Sequence, residues 1–385
     1  MTPAARIAAA VTVLDDILAG APAEQALLRW SRGSRFAGSG DRAALRDLVF
    51  GALRRRDSLA VLGGGLTGRG LMIGHAKLAG LDPVTLFTGQ GHAPAPLTAE
   101  EETMAPKDLP DDLPDWLRPD WQQALGPDAG TVAAAMTQRA PVWLRTNMAR
   151  TTAEKAAAAL QADGITTEQH PELPSALRVT ENERAVARSG PYRDGLVELQ
   201  DLSPQLACAL LPLRAGDHVL DYCAGGGGKA LAIASLEPAA RISAHDAIPA
   251  RMADLPARAG RAGARIKVVT RPQGTFDLVV ADVPCSGSGT WRRTPDAKWR
   301  LTRDQLDQVV ALQARILDQV APLVRPGGHL AYMTCSVLDA ENDAQVAALE
   351  TRGWRFRLIT RRLWTPLTGS DGFYLAVLQA AHEAD

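Results

Sequence analysis

Two cysteines and an aspartate in the second half of the chain are the residues best suited to chemistry. Asp282 and Cys285 lie in FDLVVADVPCSGSG, and Cys335 follows an apolar run in HLAYMTCS. Both runs have the pattern of buried strands, and ligands bind at the carboxyl edge of open α/β sheets. If the two strands are neighbours, the two thiols lie close together. The alternative is that each cysteine is a small buried apolar residue.

A thiolate beside a methyl donor suits the methylation of a pyrimidine at carbon 5. That carbon becomes nucleophilic only after a nucleophile, which can be a thiolate, has added at carbon 6. A base then removes the proton from carbon 5, and the thiol leaves. Asp282 in its protonated form could stabilise the developing charge by a hydrogen bond near the ring nitrogen. Asp282 could instead be a capping or structural residue.

A glycine-rich turn earlier in the chain is a candidate cofactor loop. In DYCAGGGGKALAIA a strand ends, glycines follow and a helix begins, so that backbone amides and the helix dipole attract an anion. About twenty residues beyond Gly226, Asp246 ends the next strand, where an acid can accept both hydroxyls of a ribose. Together they indicate NAD or S-adenosylmethionine. Taken alone, the loop could be a dinucleotide site, a phosphate site or a tight turn, and Asp246 a helix cap.

A basic segment downstream of Cys285 has the composition of a nucleic-acid contact. TWRRTPDAKWR interleaves two tryptophans with the four cations Arg292, Arg293, Lys298 and Arg300. Cations suit phosphates, and aromatic rings suit the stacking of single-stranded bases. We therefore predict that these four residues bind RNA. The alternative is a solvated loop whose tryptophans pack in the core.

The elements that must position these residues predict an α/β catalytic domain over residues 204–385. Short β-rich runs alternate with helical spans, a pattern that calls for a parallel sheet flanked by helices. The predicted strands are HVLDYCA, ARISAHD, IKVVT, FDLVVADVP, HLAYMTCS, WRFRLI and FYLAVLQA. A helix of about two dozen residues should start near Thr302 and end before Pro326.

Three segments precede this domain. Residues 1–70 predict an all-α domain, because apolar residues recur at three- and four-residue steps, and they carry ten Arg against six Asp plus Glu. Residues 71–138, rich in Gly, Pro and mixed charge, predict a linker with short helices. Residues 139–203 predict a small α+β module, with strands in PVWLRTN and around Leu177–Val179 and Leu196–Leu199.

Composition bears on compartment and partners. The 385 residues, 46% hydrophobic and with a net charge of −1, suffice for two or three globular domains. Four cysteines are too few for a disulfide scaffold, and neither they nor the seven His have a metal-ligand spacing. The first apolar stretch is interrupted by Asp15 and Asp16, unlike a signal peptide or a membrane span. We expect a cytoplasmic monomer that binds neither a metal nor a membrane.

Residues 140–380 resemble the RsmB/Nop/Sun family of RNA 5-methylcytosine methyltransferases. CAGGGGK is similar to the family's Cys-Ala-Ala-Pro-Gly-Gly-Lys loop, DVPCSGSG to its Asp-x-Pro-Cys-Ser-Gly-x-Gly signature, and MTCSVLDAEND to its Thr-Cys-Ser followed by Glu-Asn. The resemblance implies a Rossmann-like class I methyltransferase domain with S-adenosylmethionine as the cofactor and RNA as the substrate. It also implies that Cys335 is the nucleophile and that Cys285 assists product release, which spacing alone leaves open.

The resemblance further implies the positions that bind the cofactor. These are Cys223, Ala224, Gly225, Gly226, Gly227, Gly228, Lys229, Asp246, Arg251 and Asp282. Gly225-Gly226 stands where the family usually has Ala-Pro, so we expect a slightly more flexible turn with binding intact. The family also has an Asp near the adenine after its third strand, where IKVVTRPQG offers Thr270 or Arg271.

Two further segments point to ribosomal RNA. RRTPDAKW resembles the bacterial ribosomal RNA enzymes of the RsmB type, and DRAALRDLVFGALRR resembles their NusB-like RNA-binding domain. The implied function is the formation of 5-methylcytosine in small-subunit ribosomal RNA. The alternatives are a tRNA cytosine-5 methyltransferase, a non-catalytic assembly factor that keeps the fold, and an NAD-dependent oxidoreductase, for which no hydride-handling His or Tyr is evident.

Overall fold

The chain forms two compact units in the computed structural model, which describes residues 1–103 and 108–382. The first unit joins Met1–Arg139 with Trp291–Leu301, and the second joins Ala140–Thr290 with the residues from Thr302 onward. Residues 104–107, within the predicted linker, and residues 383–385, within the predicted catalytic domain, lie outside the described residues.

The helices of the described residues are α1 (Pro3–Leu18), α2 (Ala23–Gly33), α3 (Ser39–Arg54), α4 (Arg56–Gly63), α5 (Gly68–Leu78), α6 (Ala99–Thr103), α7 (Arg118–Leu125), α8 (Ala129–Met136), α9 (Ala153–Ala162), α10 (Gly190–Arg193), α11 (Leu202–Ala209), α12 (Gly228–Leu236), α13 (Leu255–Ala262), α14 (Pro295–Arg300), α15 (Arg303–Val320) and α16 (Asp343–Thr351). The strands are β1 (Val142–Thr146), β2 (Thr166–Gln169), β3 (Ala176–Glu181), β4 (Val197–Leu199), β5 (His218–Asp221), β6 (Arg241–Ala244), β7 (Ile266–Val268), β8 (Phe276–Asp282), β9 (Val324–Thr334), β10 (Phe356–Trp364) and β11 (Phe373–Ala380). No helix in the described part of the chain combines the length and the apolar character needed to cross a bilayer.

The first unit is helical, as the periodicity of its first residues predicts. Ile7 and Leu14 of α1 and Leu45 of α3 are buried in one apolar cluster, because each helix turns the same face inward. Helix α5 crosses the predicted boundary at residue 70, and its Leu71–Ile73 are fully buried in the same cluster. The glycines before α5 do not begin the linker; they let α4 and α5 pack closely, since a Cβ on Gly63 would meet the Gly70 carbonyl oxygen at 1.8 Å.

The second unit begins with a small antiparallel sheet of order β2-β3-β1-β4. Leu144, Leu177 and Val197 from three of these strands are fully buried together with Leu160 of α9. This is the predicted α+β arrangement. The sequence analysis missed β2, since its residues TTEQ are polar and half-exposed or exposed, and an edge strand of this kind lacks the apolar alternation that marks a strand.

A seven-stranded sheet of order β10-β11-β9-β8-β5-β6-β7 follows in the second unit. The pairs from β9 to β7 are parallel, and β10 and β11 add an antiparallel edge. Along β8, Leu278 and Val280 belong to one apolar cluster and Val279 and Ala281 to another, so this strand is covered on both faces. The predicted Rossmann-like α/β fold is confirmed.

Helix α15 starts where the sequence predicts and ends earlier. Thr302 accepts a hydrogen bond from the backbone of Gln305, whose side chain bonds back to Thr302 and completes a capping box. The helix ends at Val320, and β9 begins at Val324, before the Pro326-Gly327-Gly328 that was expected to separate helix from strand. A register shift in the pairing of β8 with β9 absorbs this irregular stretch.

Candidate active site

The two thiols that the sequence singles out lie side by side. Strands β8 and β9 are parallel neighbours, with Asp282 opposite Met333, so the segments that follow them leave the same edge of the sheet. The sulfur atoms of Cys285 and Cys335 are 3.1 Å apart, and both residues are half-buried. The predicted proximity is confirmed, while the roles of the two cysteines stay predictions.

The two thiols share a hydrogen bond, in which either sulfur can donate. The hydrogen bond to Cys335, burial, and the negative charges of Cys335 and Glu341 raise the pKa of Cys285 well above its usual value. A raised pKa favours the protonated form of Cys285, which can donate to the sulfur of Cys335. A hydrogen bond to a thiolate stabilises the charged form, which is the nucleophilic one.

A fully buried carboxylate joins the two cysteine loops from behind. Glu341 accepts hydrogen bonds from the backbone nitrogen of Ser286 at 2.7 Å and from its hydroxyl at 2.5 Å. It also accepts from the hydroxyl of Ser336 and, at 3.0 Å, from the amide of Gln313. Since Ser286 and Ser336 directly follow the two cysteines, one side chain fixes both loops. The sequence analysis noted the Glu-Asn pair and assigned it no role.

Asn342 and Ser288 complete this polar network. Asn342 donates to the Ser336 carbonyl oxygen at 3.0 Å and accepts from the hydroxyl of Thr334 at 2.6 Å. The hydroxyl of Ser288 lies 2.8 Å from that of Ser336 and accepts from the backbone nitrogen of Val337 at 2.9 Å. These bonds satisfy the Ser336 carbonyl and the Val337 N–H in the loop that carries Cys335.

The predicted cofactor loop connects β5 to α12 and has the glycine conformations that it needs. Gly225 and Gly227 have φ values of +50° and +80°, which L side chains rarely adopt. Helix α12 begins at Gly228, so its first amides face the turn. The predicted sequence of strand, glycine turn and helix is confirmed.

Asp246 shapes this loop. Its carboxylate accepts from the backbone nitrogen of Gly225 at 3.0 Å and from that of Ile248 at 2.9 Å. A ribose would share the carboxylate with these amides, and the ribose contact stays a prediction. Arg251 lies exposed in the following turn, and Thr270 and Arg271 lie exposed after β7.

Asp221 is a site residue that the sequence analysis missed. It ends β5 fully buried, with one carboxylate oxygen accepting from the Ala230 nitrogen at 3.1 Å. The other oxygen, Oδ1, has no hydrogen-bond partner among the residues that the structure describes. Burial raises its pKa to about 7, although the charge of Lys229 acts in the opposite direction. A strand-ending Asp directly before a glycine turn was the available signal. The unpartnered oxygen suits a cationic ligand group.

Lys229 links the cofactor loop to the end of β8. Its ammonium lies 2.5 Å from the carboxylate of Asp282. Burial alone would lower the pKa of Lys229, but the charge and hydrogen bond of Asp282 outweigh it, and the pKa is raised. Asp282 was predicted to act in its protonated form. The ammonium of Lys229 is a second proton donor beside the same carboxylate, and the role of Asp282 stays a prediction.

Two of the four predicted RNA contacts are buried in the helical unit. The ammonium of Lys298, only 1% exposed, donates to the Asp112 carbonyl oxygen at 2.6 Å, and burial lowers its pKa to about 8. Arg292 is buried as well. A phosphate cannot reach such side chains, so the prediction is wrong for these two. Arg293 and Arg300 are exposed, and for them the prediction stands.

The tryptophans of this segment explain why Trp291–Leu301 belongs to the helical unit and not, as predicted, to the catalytic domain. Trp291 stacks on Trp121 with ring centroids 5.9 Å apart, and Trp299 donates to the Leu53 carbonyl oxygen at 2.7 Å. Within the described residues, no group of three or more His, Cys, Asp or Glu could hold a metal ion.

Comparisons with known proteins agree with this fold. The model of the 16S rRNA methyltransferase RsmB/F domain matches residues 208–379, and that of the ferredoxin-like domain of RsmF/B-like methyltransferases matches residues 113–186. The ribosomal RNA small subunit methyltransferase B of Enterobacter sp. (strain 638) is 35% identical over 285 residues, 69% of this chain and 66% of that protein. That of Salmonella arizonae is 36% identical over 249 residues, 62% of this chain and 58% of that protein.

The chain thus spans from 58% to 66% of the length of these curated relatives. Among solved structures, the crystal structure of PH0851 has the same fold, with a TM-score of 0.77 and 20% identity over 98% of this chain and 99% of that one. The two domain models match consecutive parts of the chain that together exceed half of it, and the relatives share more than a third of their aligned residues. This chain belongs to the RsmB/F family, whose domain model is described as 16S rRNA methyltransferase RsmB/F.

Proposed function

We propose that this protein transfers a methyl group from S-adenosylmethionine to carbon 5 of a cytosine in RNA, with Cys335 as the attacking thiolate. The observation that carries the proposal is the pair of sulfur atoms 3.1 Å apart at one edge of the sheet. Small-subunit ribosomal RNA is the proposed substrate, following the names of the relatives.

The residues around the glycine loop fit S-adenosylmethionine. The unpartnered Oδ1 of Asp221 suits the ammonium of the methionine part, and the first amides of α12 suit its carboxylate. Asp246 would hold the ribose hydroxyls. When bound, the cofactor supplies a methyl group on a positively charged sulfur.

The thiol pair divides the work of addition and release. The Cys335 thiolate forms a bond to carbon 6 of the cytosine, and the displaced electron pair makes carbon 5 nucleophilic. After methyl transfer a base removes the proton of carbon 5, and the bond between carbon 6 and sulfur breaks to restore the ring. Cys285 stabilises the thiolate before addition and again on release, because its S–H lies within reach of the same sulfur and can donate to it.

Asp282 and Lys229 are proposed to act on the cytosine ring as one unit. The Nζ of Lys229 lies 2.5 Å from the carboxylate of Asp282, which ends β8 three residues before Cys285. The carboxylate can accept a hydrogen bond from the exocyclic amine, while the ammonium is the proton source when charge develops on the ring nitrogen.

The test compares three single variants on ribosomal RNA, with tritiated methyl transfer and bisulfite sequencing as readouts. Cys335→Ala should abolish 5-methylcytosine. Cys285→Ala should slow release and leave a protein–RNA adduct that survives denaturing electrophoresis and disappears in the double variant. Cys208→Ala, a buried cysteine outside the pair, is the control and should methylate normally.

Full methylation by Cys335→Ala would overturn the proposed nucleophile. Bisulfite sequencing of total RNA from cells with and without the protein reads ribosomal RNA and tRNA together and identifies the substrate. An unchanged pattern, joined to an absence of cofactor binding in calorimetry, would support a non-catalytic assembly factor instead.

A further inference from the structure

The cofactor loop contains four successive glycines, Gly225 to Gly228. Gly225-Gly226 stands where the family usually has Ala-Pro, and Gly225 adopts a φ of +50°. Two successive glycines have more backbone freedom to lose on ordering than an alanine and a proline have. A loop of this composition needs another source of order if it is to present its amides to a ligand.

The side chain of Arg258, on α13, holds the backbone of this loop. Its Nη1 donates to the Gly226 carbonyl oxygen at 2.5 Å, and its Nη2 donates to the carboxylate of Glu198 at 2.9 Å. The planar guanidinium thus spans a loop carbonyl and a carboxylate that is 2% exposed. Both are charge-assisted hydrogen bonds, the stronger class in proteins.

The absence of a side chain at position 226 makes room for this contact. A Cβ on Gly226 would lie 2.9 Å from Nη1 of Arg258, closer than real Cβ atoms approach other atoms. A proline at this position would therefore push the guanidinium away from the carbonyl. Helix α13 also backs the next residue, because a Cβ on Gly227 would meet the Leu255 side chain at 2.1 Å.

Glu198 is itself fixed, so that it can orient Arg258. It lies on β4 of the small sheet, and its other carboxylate oxygen accepts from Arg261 at 2.6 Å. The guanidinium of Arg261 lies 4.9 Å from the ring centroid of Tyr192. Arg261 shares Glu198 with Arg258 but donates no hydrogen bond to the glycine loop, which makes it a matched control.

We propose that Arg258, oriented by Glu198, is a positioning residue for the cofactor loop and supplies the stiffness that its run of glycines lacks. The inference rests on the proposed function in one respect, that the loop holds S-adenosylmethionine. Both hydrogen bonds of Arg258 join residues of this chain alone, so we expect them to preorganise the loop. Its loss should raise Kd and KM for the cofactor and leave kcat nearly unchanged.

The test measures the Kd of S-adenosylhomocysteine by titration calorimetry and the amide hydrogen exchange of the ligand-free loop peptide 222–228. Arg258→Ala should raise the Kd about tenfold or more and accelerate exchange in that peptide. Arg261→Ala should change the Kd by less than about threefold and leave the loop peptide as protected as in the wild type. Equal effects of the two variants, or none from Arg258→Ala, would overturn the proposal.

A proline at position 226 gives a second test that a merely structural role of Arg258 would not satisfy. Gly226→Pro should restore most of the affinity lost in Arg258→Ala, whereas alone it should bring no gain, because its ring displaces the guanidinium. Equal weakening in both backgrounds would contradict the proposal. If Arg258→Ala does not fold, Arg258→Lys takes its place, because a lysine reaches only one of the two acceptors. It should lose part of the affinity for S-adenosylhomocysteine, and wild-type affinity in this variant would contradict the proposal. If the wild type binds no S-adenosylhomocysteine, the proposed function fails, while hydrogen exchange still tests whether Arg258 orders the loop.

Discussion

Removal of the Glu341 carboxylate would leave the two cysteine loops without their common acceptor. The side chain is fully buried and accepts hydrogen bonds from Ser286, Gln313 and Ser336. In Glu341→Ala, the hydroxyls of the two serines can rotate toward other acceptors. The backbone nitrogen of Ser286 and one N–H of the Gln313 amide cannot, so two donors lose their partner, a buried one on Gln313 and one at the half-buried Ser286.

The expected loss of stability follows from these two donors. A buried donor left without a partner costs about 1–3 kcal/mol, so two of them cost roughly 2–6 kcal/mol. Removing the carboxylate also relieves the cost of burying its charge, which places the net loss in the lower half of that range, at about 3 kcal/mol. Glu341→Gln keeps the side-chain volume and one acceptor oxygen, and the serine hydroxyls can accept from its amide. It should cost about 1–2 kcal/mol.

Hydrogen exchange in increasing urea, detected on peptides from β8 and β9, measures this loss in the unit that contains the site. A probe of this kind is needed because the chain has two compact units, and a global signal would mix their transitions. Glu350→Ala, exposed in α16, is the matched control and should stay within about 0.5 kcal/mol of the wild type. The reasoning is refuted if Glu341→Ala also stays within that margin, or if Glu341→Gln is as costly as Glu341→Ala.

Three further predictions concern the thiols, the cofactor loop and the basic segment. Cys335→Ala removes the hydrogen bond that is the first cause of the raised pKa of Cys285, so iodoacetamide should alkylate Cys285 faster at pH 8 than in the wild type. An equal or slower rate would contradict the hydrogen bond between the two thiols. Burial raises the pKa of Asp221 from 3.8 to about 7, so the ligand-free protein loses stability as the pH rises between these values. Asp221→Asn should therefore melt at a higher temperature than the wild type at pH 8, whereas below pH 4 it should not, and it should bind S-adenosylhomocysteine more weakly. The same difference in melting temperature between variant and wild type at both pH values would contradict this prediction. Lys298→Gln should lower the melting temperature of the helical unit. Arg300→Gln should leave that temperature unchanged and reduce both the affinity for RNA and its salt dependence. If instead Lys298→Gln reduced RNA affinity without lowering the melting temperature, Lys298 would be an RNA contact.

The catalytic sheet could be predicted because its signals are local. Each central strand is a short apolar run, and the capping pair of Thr302 and Gln305 marks the start of α15 in the sequence. The proximity of Cys285 and Cys335 also followed, since both come directly after neighbouring parallel strands. Chain order and strand ends were sufficient for that inference.

The surroundings of the site could not be predicted, because their signals are not local. Glu341 and Ser286 are 55 residues apart, and Arg258 and Glu198 are 60 apart, so no periodicity connects either pair. The basic segment failed for a different reason. Cations interleaved with tryptophans describe a base-stacking surface and a buried helix contact equally well, and only tertiary packing showed that Lys298 donates to a carbonyl oxygen of its own unit.

Both loops of the site obey one physical requirement. At the carboxyl edge the chain leaves the sheet, and buried backbone groups there need partners that no neighbouring strand supplies. Glu341 meets this need for the N–H of Ser286, and Arg258, oriented by Glu198, meets it for the carbonyl of Gly226. In each case a buried carboxylate from another element replaces sheet pairing as the constraint on geometry. Substitutions at these carboxylates should therefore displace the thiols or the cofactor loop while every reacting residue remains in the chain.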